Sequence, residues 1–278
     1  MGFKNPILQV KDLVVRFGAG CEYCKDGRNL EKSRCPHCYT VWALKKVSLN
    51  LFKGEILGIV GESGSGKSTL LRSLYFDREI TSGKAYIHEY EEGRVNIFQL
   101  SSQQKRYIRN HKLGMVYQNP VMGLRMKFSS AANVAEKLIA AGIRNADSMT
   151  ERAKELLSHV EVPISRIKEE PENFSGGMQQ RVQISKAIAN NPPILLLDEV
   201  TTGLDLSVQA RVLDLIKNIQ QERGISMIVV SHDLSVIRMM ADRTIVMLEG
   251  KIIEEGLTDQ ILEDPIHGYT QTLVHSLL

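Results

Sequence analysis

Residues 61–68 read Gly61-Glu62-Ser63-Gly64-Ser65-Gly66-Lys67-Ser68, and this stretch decides the fold of the chain. It fits the pattern G-x-x-x-x-G-K-[ST] at every fixed position. The apolar run from Ile56 to Val60 predicts a buried strand just before it, and a helix pattern follows from Lys67 to about Phe76. A strand, a glycine-rich loop and a helix in this order indicate a phosphate-binding loop.

The residue types in this loop suit the phosphates of ATP. Its glycines let successive backbone N–H groups point at phosphate oxygens, aided by the N-terminus of the following helix. Lys67 is placed to reach the β- and γ-phosphates, and the Ser68 hydroxyl is placed to ligate Mg²⁺. Taken alone, the motif could also be a simple turn before a helix. The candidate ATP-binding residues here are Gly61, Ser63, Gly64, Ser65, Gly66, Lys67, Ser68 and Thr69.

A second motif places two acids at the end of a buried strand. The run Ile194 to Leu197 is apolar and leads directly into Asp198 and Glu199. The carboxyl ends of strands face the ligand in doubly wound sheets, so we expect Asp198 beside the Mg²⁺. Glu199 then becomes the candidate general base that polarises the water attacking the γ-phosphate.

Composition and charge exclude several classes of protein. The chain has 278 residues, of which 43% are hydrophobic and 24% charged, so disorder is not expected. Its 35 basic and 32 acidic residues are too balanced to indicate nucleic-acid binding. The apolar runs are far shorter than the roughly 20 residues that span a bilayer, and the N-terminus has neither a signal-peptide core nor a myristoylation pattern. We therefore expect a cytoplasmic protein.

The order of the predicted elements indicates an α/β fold. Residues 119–172 have a helical pattern, with Val134, Leu138 and Ile139, and then Leu156, Leu157 and Val160, at core spacing. Strands and helices that alternate beyond this stretch predict a largely parallel sheet flanked by helices. The predicted strands are 7–17, 47–52, 56–60, 194–197, 225–230, 243–248 and 251–254, and the later helices are 207–223 and 234–240.

Further motifs resemble those of ABC-type ATPases along nearly the whole chain. The segment Phe174-Ser175-Gly176-Gly177-Met178-Gln179-Gln180 is similar to the family signature, although Ser175 alone could simply cap a helix. Gln118, Asp205 and His232 match the glutamine, the interface loop and the switch histidine of the family, in the same order. The resemblance implies a P-loop ABC fold over residues 1–278, with a helical subdomain at 119–180 and an antiparallel edge region.

The family resemblance also implies how the protein works. Two such subunits bind head to tail, as a homodimer or with a related ATPase, and each ATP lies between the loop of one subunit and the signature of the other. Gln118, Asp198 and His232 are then expected on the side of the phosphate loop, where Gln118 also touches Mg²⁺ and the attacking water. The expected contacts from the opposite subunit are Ser175, Gly176, Gly177, Gln179 and Asp205.

Two positions leave questions open within this resemblance. Phe17 matches the aromatic residue that stacks on adenine, although Tyr39 or Trp42 could replace it and Phe17 could equally be an edge aromatic. Val200 stands where the family usually has proline after the glutamate, which could loosen the turn while preserving the carboxylates.

Resemblances within the family point to two biological systems. The stretches 122–138, 160–167 and 206–211 resemble ATPases of the carbon–phosphorus lyase machinery, whose partners are the soluble core subunits of an enzyme that breaks down phosphonates. The C-terminal stretch 264–270, with Leu273, is instead similar to dipeptide and oligopeptide importers, whose partners are membrane permeases. We expect the lyase system, with the importer as the alternative and no nucleic-acid partner.

Four cysteines within residues 18–40 suggest a metal-binding insert. Cys21 and Cys24, and then Cys35 and Cys38, form two C-x-x-C pairs separated by ten residues. Four thiolates suit a closed tetrahedral Zn²⁺ site, with an iron–sulfur centre as the rival and four free thiols as the non-metal alternative. His37 could replace one cysteine but is expected to face solvent. We expect structural zinc that supports a docking surface near the adenine side.

Overall fold

The structure of the protein is a computed structural model that describes residues 5–275. Its strands are β1 (Leu8–Phe17), β2 (Val41–Leu51), β3 (Ile56–Val60), β4 (Ser82–Ile87), β5 (Leu113–Val116), β6 (Ile194–Asp198), β7 (Ser226–Val230), β8 (Arg243–Leu248) and β9 (Lys251–Leu257). Its α-helices are α1 (Lys67–Leu74), α2 (Ser102–His111), α3 (Pro120–Gly123), α4 (Ser130–Ala140), α5 (Ala146–His159), α6 (Gly176–Ile188), α7 (Leu206–Arg223), α8 (Leu234–Met240), α9 (Thr258–Glu263) and α10 (Gly268–His275). The described chain divides into two compact units, residues 5–105 with 228–275 and residues 106–227.

An antiparallel sheet opens the first unit. Strand β1 lies between β2 and β4 and pairs antiparallel with both, with Leu8 opposite Leu51 and Ile87. The alternating apolar residues of β1, among them Leu13 and Val15, are fully buried, as expected for a strand with one face on a core. The sheet matches the antiparallel edge region implied by the family resemblance.

The same unit contains the strand that carries the phosphate loop. All residues of β3 are buried, and β3 pairs parallel with β8, which turns at Glu249-Gly250 into the antiparallel strand β9. Helix α1 follows the loop and begins at Lys67. The predicted order of strand, loop and helix is therefore confirmed.

Parallel strands and a group of packed helices form the second unit. Strand β5 pairs parallel with β6, so that Val116 lies opposite Leu197. Helix α6 is central, because it packs against β5 and against the helices α3, α4, α5 and α7. Its buried residues include polar ones, Gln180, Arg181 and Gln183, whose partners are described below.

Several details differ from the sequence-based expectations. Strand β2 begins at Val41 and not at Val47, and β4, α2 and β5 were not predicted. The helical pattern of 119–172 resolves into α3, α4 and α5 with short 3-10 turns after them. Ile139 is wrong as a core residue, since it is 44% exposed while its neighbour Leu138 is buried. Successive helical residues are turned by about 100°, so one of two neighbours on an edge of the apolar stripe faces solvent.

Within residues 5–275, every helix is too short or too polar to cross a bilayer.

Candidate nucleotide and metal sites

The glycine-rich loop closes around its own lysine. Lys67 is 4% exposed, and its Nζ donates hydrogen bonds to the carbonyls of Gly61 (2.7 Å) and Glu62 (2.9 Å). A Cβ at Gly61 would lie 2.1 Å from the carbonyl oxygen of Met247, so only glycine fits there. An ammonium and the first amides of α1 therefore meet in one cradle, which can bind a phosphate group and so fits ATP.

The remaining loop residues surround this cradle. Gly66 caps α1 in a left-handed conformation (φ 105°), and a Cβ there would lie 2.4 Å from the carbonyl oxygen of Ala43. Ser63 and Gly64 are exposed at the tip, Ser65 is buried, and Ser68 and Thr69 are half-buried in the first turn of α1.

A tyrosine from the C-terminal helix also contacts this loop. The hydroxyl of Tyr269, on α10, accepts a hydrogen bond of 2.9 Å from the backbone N–H of Glu62. Burial raises the pKa of Tyr269, so the phenol stays neutral. Sequence reasoning used Tyr269 only as part of a family-like tail, because 207 residues separate the two partners and no local pattern joins them.

The three aromatic candidates for adenine differ in exposure. Phe17 lies at the end of β1, is 44% exposed, and has the guanidinium of Arg78 5.9 Å from its ring centre. Tyr39 is exposed and lies under Arg34. Trp42 is only 5% exposed, so it cannot stack on a nucleotide without leaving its place. The expectation that Trp42 could replace Phe17 is wrong, whereas Phe17 and Tyr39 stay candidates.

His232 lies at the end of β7 in the first unit. It is exposed and directly precedes Asp233, whose side chain accepts a hydrogen bond from the backbone of Ser235 and so caps α8. The cap fixes the backbone on one side of His232. The histidine is therefore presented at a strand end by a turn with defined geometry.

In the second unit, Glu199 contacts Gln118 directly. Nε2 of Gln118 donates to Oε2 of Glu199 at 2.9 Å, and the Thr202 hydroxyl lies 3.2 Å from the same oxygen. Asp198, at the end of β6, is fully buried, whereas Glu199 has a left-handed backbone (φ 46°). Such a conformation is costly for a residue with a side chain and is concentrated at functional sites.

The unusual Val200 does not loosen this turn. Val200 is 4% exposed, and the N–H of Thr202 donates to the carbonyl of Glu199 across the turn at 3.2 Å. The valine side chain packs inward and a backbone hydrogen bond closes the turn, so proline is not needed to shape it.

The signature segment forms the N-terminus of α6. Ser175 is its N-cap and accepts from the N–H of Met178 at 3.5 Å, while Nε2 of Gln179 donates to the carbonyls of Pro171 and Phe174. Ser175 and Gly176 are exposed. This end of the helix therefore offers unshielded amides, which can bind an anion.

The loop of Asp205 packs beside the signature. Asp205 caps α7 by accepting from the N–H of Val208 at 2.9 Å, and its hydrogen bond with Ser207 lowers the pKa of its carboxyl. Gly177 is buried against Val208, because a Cβ at Gly177 would lie 2.5 Å from Cγ1 of that valine. The structure thus brings Gly177 and Asp205 together at adjoining helix starts. Their contact with a nucleotide of another subunit stays a prediction.

Sequence reasoning missed the glutamines that hold the residue before Gln118. The backbone N–H of Tyr117 donates to Oε1 of Gln183 (2.8 Å), and Nε2 of Gln183 donates back to the Tyr117 carbonyl (3.1 Å). Gln180 adds a bond of 3.3 Å to the same carbonyl. These side chains lie on α6, so the signature helix fixes the backbone next to Gln118.

The four cysteines come together as a compact cluster. The Sγ atom of Cys21 lies 3.8 Å from those of Cys24 and Cys35, and the Sγ atoms of Cys24 and Cys38 are 3.7 Å apart. All four sulfurs lie within 4.8 Å of one another. A tetrahedral ion with metal–sulfur bonds of about 2.3 Å requires sulfurs about 3.8 Å apart. The cluster could therefore bind one metal ion.

Neighbouring groups act differently on two of the thiols. Hydrogen bonding with Thr40, whose Oγ1 is 3.2 Å from Sγ of Cys38, lowers the pKa of that thiol to about 6. For Cys21, the lowering effect of the Cys24 backbone is outweighed by hydrogen bonds with the other cysteine side chains and by burial, which raise its pKa to about 11. Thiolates are the form that binds metals. His37 is exposed and its ring packs on Tyr23 with 4.0 Å between ring centres, so the expectation that it faces solvent is confirmed.

Comparisons with known proteins agree with this geometry. Residues 44–202 match the family model described as "ABC transporter". The chain is 44% identical over 232 residues to the putative phosphonates utilization ATP-binding protein PhnK of Escherichia coli (strain K12), covering 84% of this chain and 90% of that one. It is 38% identical over 242 residues to the oligopeptide transport ATP-binding protein OppD of Bacillus subtilis (strain 168), covering 85% and 67% of the two chains.

Solved structures show the same fold. The dimeric post-hydrolysis state of the ATP-binding cassette MJ0796, bound to ADP and Pi, has a TM-score of 0.76 and 31% identity, covering 90% of this chain and 98% of that chain. The protein cbiO1 from Clostridium perfringens, part of the ABC transporter complex cbiONQ, has a TM-score of 0.74 at 24% identity over 94% and 92% of the two chains, which supports the fold alone.

Proposed function

The chain belongs to the ABC transporter ATPase family, whose members hydrolyse ATP as dimers, and we propose that it drives the carbon–phosphorus lyase machinery of phosphonate breakdown. The observation that carries this proposal is the 44% identity to PhnK, which extends over 90% of that protein's length. The importer ATPase OppD is less similar, at 38% identity, and this chain covers only 67% of it.

The proposed mechanism assigns each nucleotide-site residue one task. Mg²⁺, when bound with ATP, neutralises the phosphate charge that develops during transfer. Glu199 takes the proton of the attacking water, held in position by Gln118 through their hydrogen bond of 2.9 Å. As the family resemblance implies, Phe17 of one subunit would stack on adenine, and the loop residues 61–69 with Lys67 would bind the phosphates. Ser68, Gln118 and Asp198 would hold Mg²⁺, and His232 would bind the γ-phosphate.

The second subunit completes the proposed site. The exposed N-terminus of α6, with Ser175, Gly176, Gly177 and Gln179, binds the γ-phosphate held by the other subunit, and Asp205 lies at the dimer interface. Hydrolysis then requires two chains to close, either two copies of this chain or this chain and a related ATPase. Closure of the two subunits is the step that remodels a bound partner.

We infer the partner-binding face from exposed apolar residues in the stretch after Gln118. Val121 and Phe128, in the stretch after Gln118, are 57% and 60% exposed. Apolar side chains exposed on one contiguous surface commonly mark a protein interface. We assign this face to the lyase subunits, which the ATPase remodels on closing. In the alternative, this face would bind the membrane permease of an importer. The similarity of residues 264–270 to importer tails is the observation that favours this alternative.

Affinity purification from native cells grown on a phosphonate tests the proposal. The proposal expects soluble phosphonate enzymes to be recovered with the wild-type chain and lost with Val121→Glu/Phe128→Glu. The control Ile266→Glu, which changes an exposed residue in the other unit, should recover them normally. Recovery of membrane permeases without phosphonate enzymes would contradict the lyase assignment and favour the importer.

For the cysteine cluster we favour Zn²⁺ over an iron–sulfur centre. In a cluster of several irons, cysteines on different irons lie farther apart than cysteines on one ion, whereas all four sulfurs here lie within 4.8 Å of one another. The ion ties together a small core of Val14, Cys24, Cys35 and Trp42, which would otherwise have little to stabilise it. We therefore assign the proposed ion a structural role.

A further inference from the structure

A basic cleft of about 620 Å³ lies where the cysteine-rich insert meets the sheet of β1, β2 and β4. Its walls come from the loop 19–28 on one side and from the strands on the other. Two lining residues, Glu22 and Asp26, are acidic. The cationic lining residues are Arg16, Lys25, Arg28, Lys45, Lys46 and Lys251.

This cleft is distinct from the expected nucleotide site. Arg16 and Phe17 are neighbours on β1, so their side chains point to opposite faces of the sheet. Arg16 pairs across the strands with Trp42, and its guanidinium lies 5.7 Å from the centre of that ring. Within the described part of the chain, the lining includes neither Phe17 nor any residue of 61–68.

A buried donor in the cleft lacks an acceptor. Trp42 lines the cleft and is 5% exposed, and its indole Nε1 has no hydrogen-bond partner within residues 5–275. Leaving a buried N–H without an acceptor costs free energy, and such groups are rare in folded proteins. The indole ring lines the cleft, whereas its Nε1 is shielded from it.

The cations of the cleft are not balanced by the acids beside them. Glu22 already pairs with Lys25 at 3.7 Å. Burial lowers the pKa of Lys45, and the charge of Lys251 lowers it further against the opposing effect of Glu249. Cationic side chains that are close together and partly desolvated favour binding of an anion. The anion would offset both the cost of burying these side chains and the repulsion between them.

We propose that this cleft binds a small molecule through a phosphate or phosphonate group, held by Arg16, Lys45 and Lys251. Arginine and lysine are the usual ligands of phosphoryl oxygens. The volume of the cleft is that of a small-molecule pocket, which favours a compact ligand over a protein surface. The inference does not depend on the proposed role in phosphonate breakdown.

The sole tryptophan of the chain, Trp42, provides the measurement. We would titrate the zinc-loaded protein at low salt with methylphosphonate and, separately, with ribose 5-phosphate, following tryptophan emission. A saturable change with either ligand is expected, and the ligand that binds tells whether a phosphonate or a phosphate ester is preferred. Raising the salt concentration should weaken it, because charged contacts are screened.

Variants separate the cleft from other anion sites. Lys45→Gln/Lys251→Gln should weaken binding about tenfold or more, since it removes two charged hydrogen-bond donors. Lys53→Gln, which changes an exposed lysine outside the cleft, should bind like the wild type. Lys67→Ala should also bind normally, because the ATP loop is not involved. Circular dichroism and zinc content confirm that each variant is folded.

Three outcomes would overturn the proposal. The first is no saturable change with either phosphorus compound at millimolar concentration. The second is unchanged affinity in Lys45→Gln/Lys251→Gln, and the third is loss of binding in Lys67→Ala. A change seen only with a poly-glutamate peptide would replace the small ligand by an acidic protein segment.

Discussion

The side-chain amide of Gln183 pairs with both backbone polar groups of Tyr117, accepting from its N–H at 2.8 Å and donating to its carbonyl at 3.1 Å. Gln183 is 1% exposed and lies on the signature helix α6, whereas Tyr117 directly precedes Gln118. Gln183 therefore acts as a positioning residue, which transmits the placement of α6 to the glutamine that contacts Glu199.

Replacing Gln183 tests this positioning role. Gln183→Leu removes both bonds to Tyr117 and should lower kcat for ATP hydrolysis about tenfold, because a misplaced Gln118 no longer orients water. The KM for ATP should change by less than about twofold, since the hydrogen bonds of Gln183 go to Tyr117 and Gln180. Steady-state kinetics separate the two constants.

The effect of Gln183→Leu on stability has to be separated from its effect on kcat. Loss of buried hydrogen bonds costs about 1–3 kcal/mol, so kinetics are measured well below the Tm. Gln221→Leu, an exposed change on α7, is the control and should keep both constants. An unchanged kcat in folded Gln183→Leu would show that Tyr117 needs no such anchor.

The close approach of Gly177 to Val208 predicts that position 177 of the signature segment does not tolerate a side chain. Gly177→Ala would place its Cβ 2.5 Å from Cγ1 of Val208, so it should destabilise the protein by about 1–3 kcal/mol and reduce ATPase activity. Gly176→Ala is the matched control for stability alone, because its Cβ would meet Leu204 at an ordinary 3.8 Å. Thermal unfolding and ATPase assays measure both effects.

Replacing Val208 as well tests whether its clash with the added Cβ causes the loss of stability in Gly177→Ala. Val208→Ala removes the methyl groups that an added Cβ at Gly177 would meet, so the pair Gly177→Ala/Val208→Ala should recover part of the lost Tm. Strict additivity of the two single effects would mean that the contact is not responsible.

The cysteine cluster predicts a zinc-dependent fold of the insert. Cys35→Ser should lower bound zinc from about one ion per chain to nearly none, because a structural site needs all four ligands. Trp42 shares a small core with Cys35 and Cys24, so its emission should shift to longer wavelength as the core opens. Elemental analysis and fluorescence measure these changes.

His37 supplies the control for the metal site. It is exposed and packs on Tyr23, so His37→Ala should keep its zinc and its tryptophan emission. Iron with visible charge-transfer bands, or metal-free wild-type protein with unchanged Trp42 emission, would refute the structural zinc.

From the burial of Lys137 we predict that the free energy of unfolding increases as the pH is raised above neutral. Burial, with the charges of Arg109 and Lys186, lowers its pKa to about 7, against about 10.4 in an unfolded chain. Between these values the folded chain has lost a proton that the unfolded chain keeps, so the free energy of unfolding rises by up to about 1.4 kcal/mol per pH unit. Below pH 7 both states are charged and the burial cost is fully present.

Urea unfolding of wild type and Lys137→Met at pH 7.5 and 8.5 measures this effect. The wild type should gain about 1 kcal/mol relative to the variant between these two values. For Lys154→Met, an exposed change in the same unit, the difference in unfolding free energy from the wild type should be the same at both pH values. A constant difference for Lys137→Met as well would rule out the lowered pKa.

The parts of the site set by local chemistry could be predicted from the sequence. The loop 61–68 requires glycine where a Cβ would meet the Met247 and Ala43 carbonyls, so its residue types reveal its shape. Paired cysteines reveal their cluster in the same way, because each C-x-x-C turn presents two thiols to one point.

What escaped prediction depends on contacts between distant residues. The bonds of Gln183 to Tyr117 and of Tyr269 to Glu62 join residues 66 and 207 positions apart, so neither leaves a local pattern. The early start of β2 was hidden because the pairing shifts between Leu13 and Val15 and Lys46 has a positive φ of 56°, which breaks the alternation of a regular strand. The boundaries of the insert at 18–40 and the helical subdomain at 119–180 stay predictions.

Hydrolysis of ATP by Glu199→Gln tests the central claim most directly. Glu199 has a left-handed backbone, follows a buried strand and accepts a hydrogen bond from Gln118, so we expect it to be the general base. Removing a general base lowers the rate about 100-fold or more. Glu199→Gln should therefore bind ATP with Mg²⁺, form a stable dimer by light scattering and hardly turn over, while the exposed control Glu172→Gln hydrolyses normally. Near-normal hydrolysis by folded Glu199→Gln would contradict the assignment.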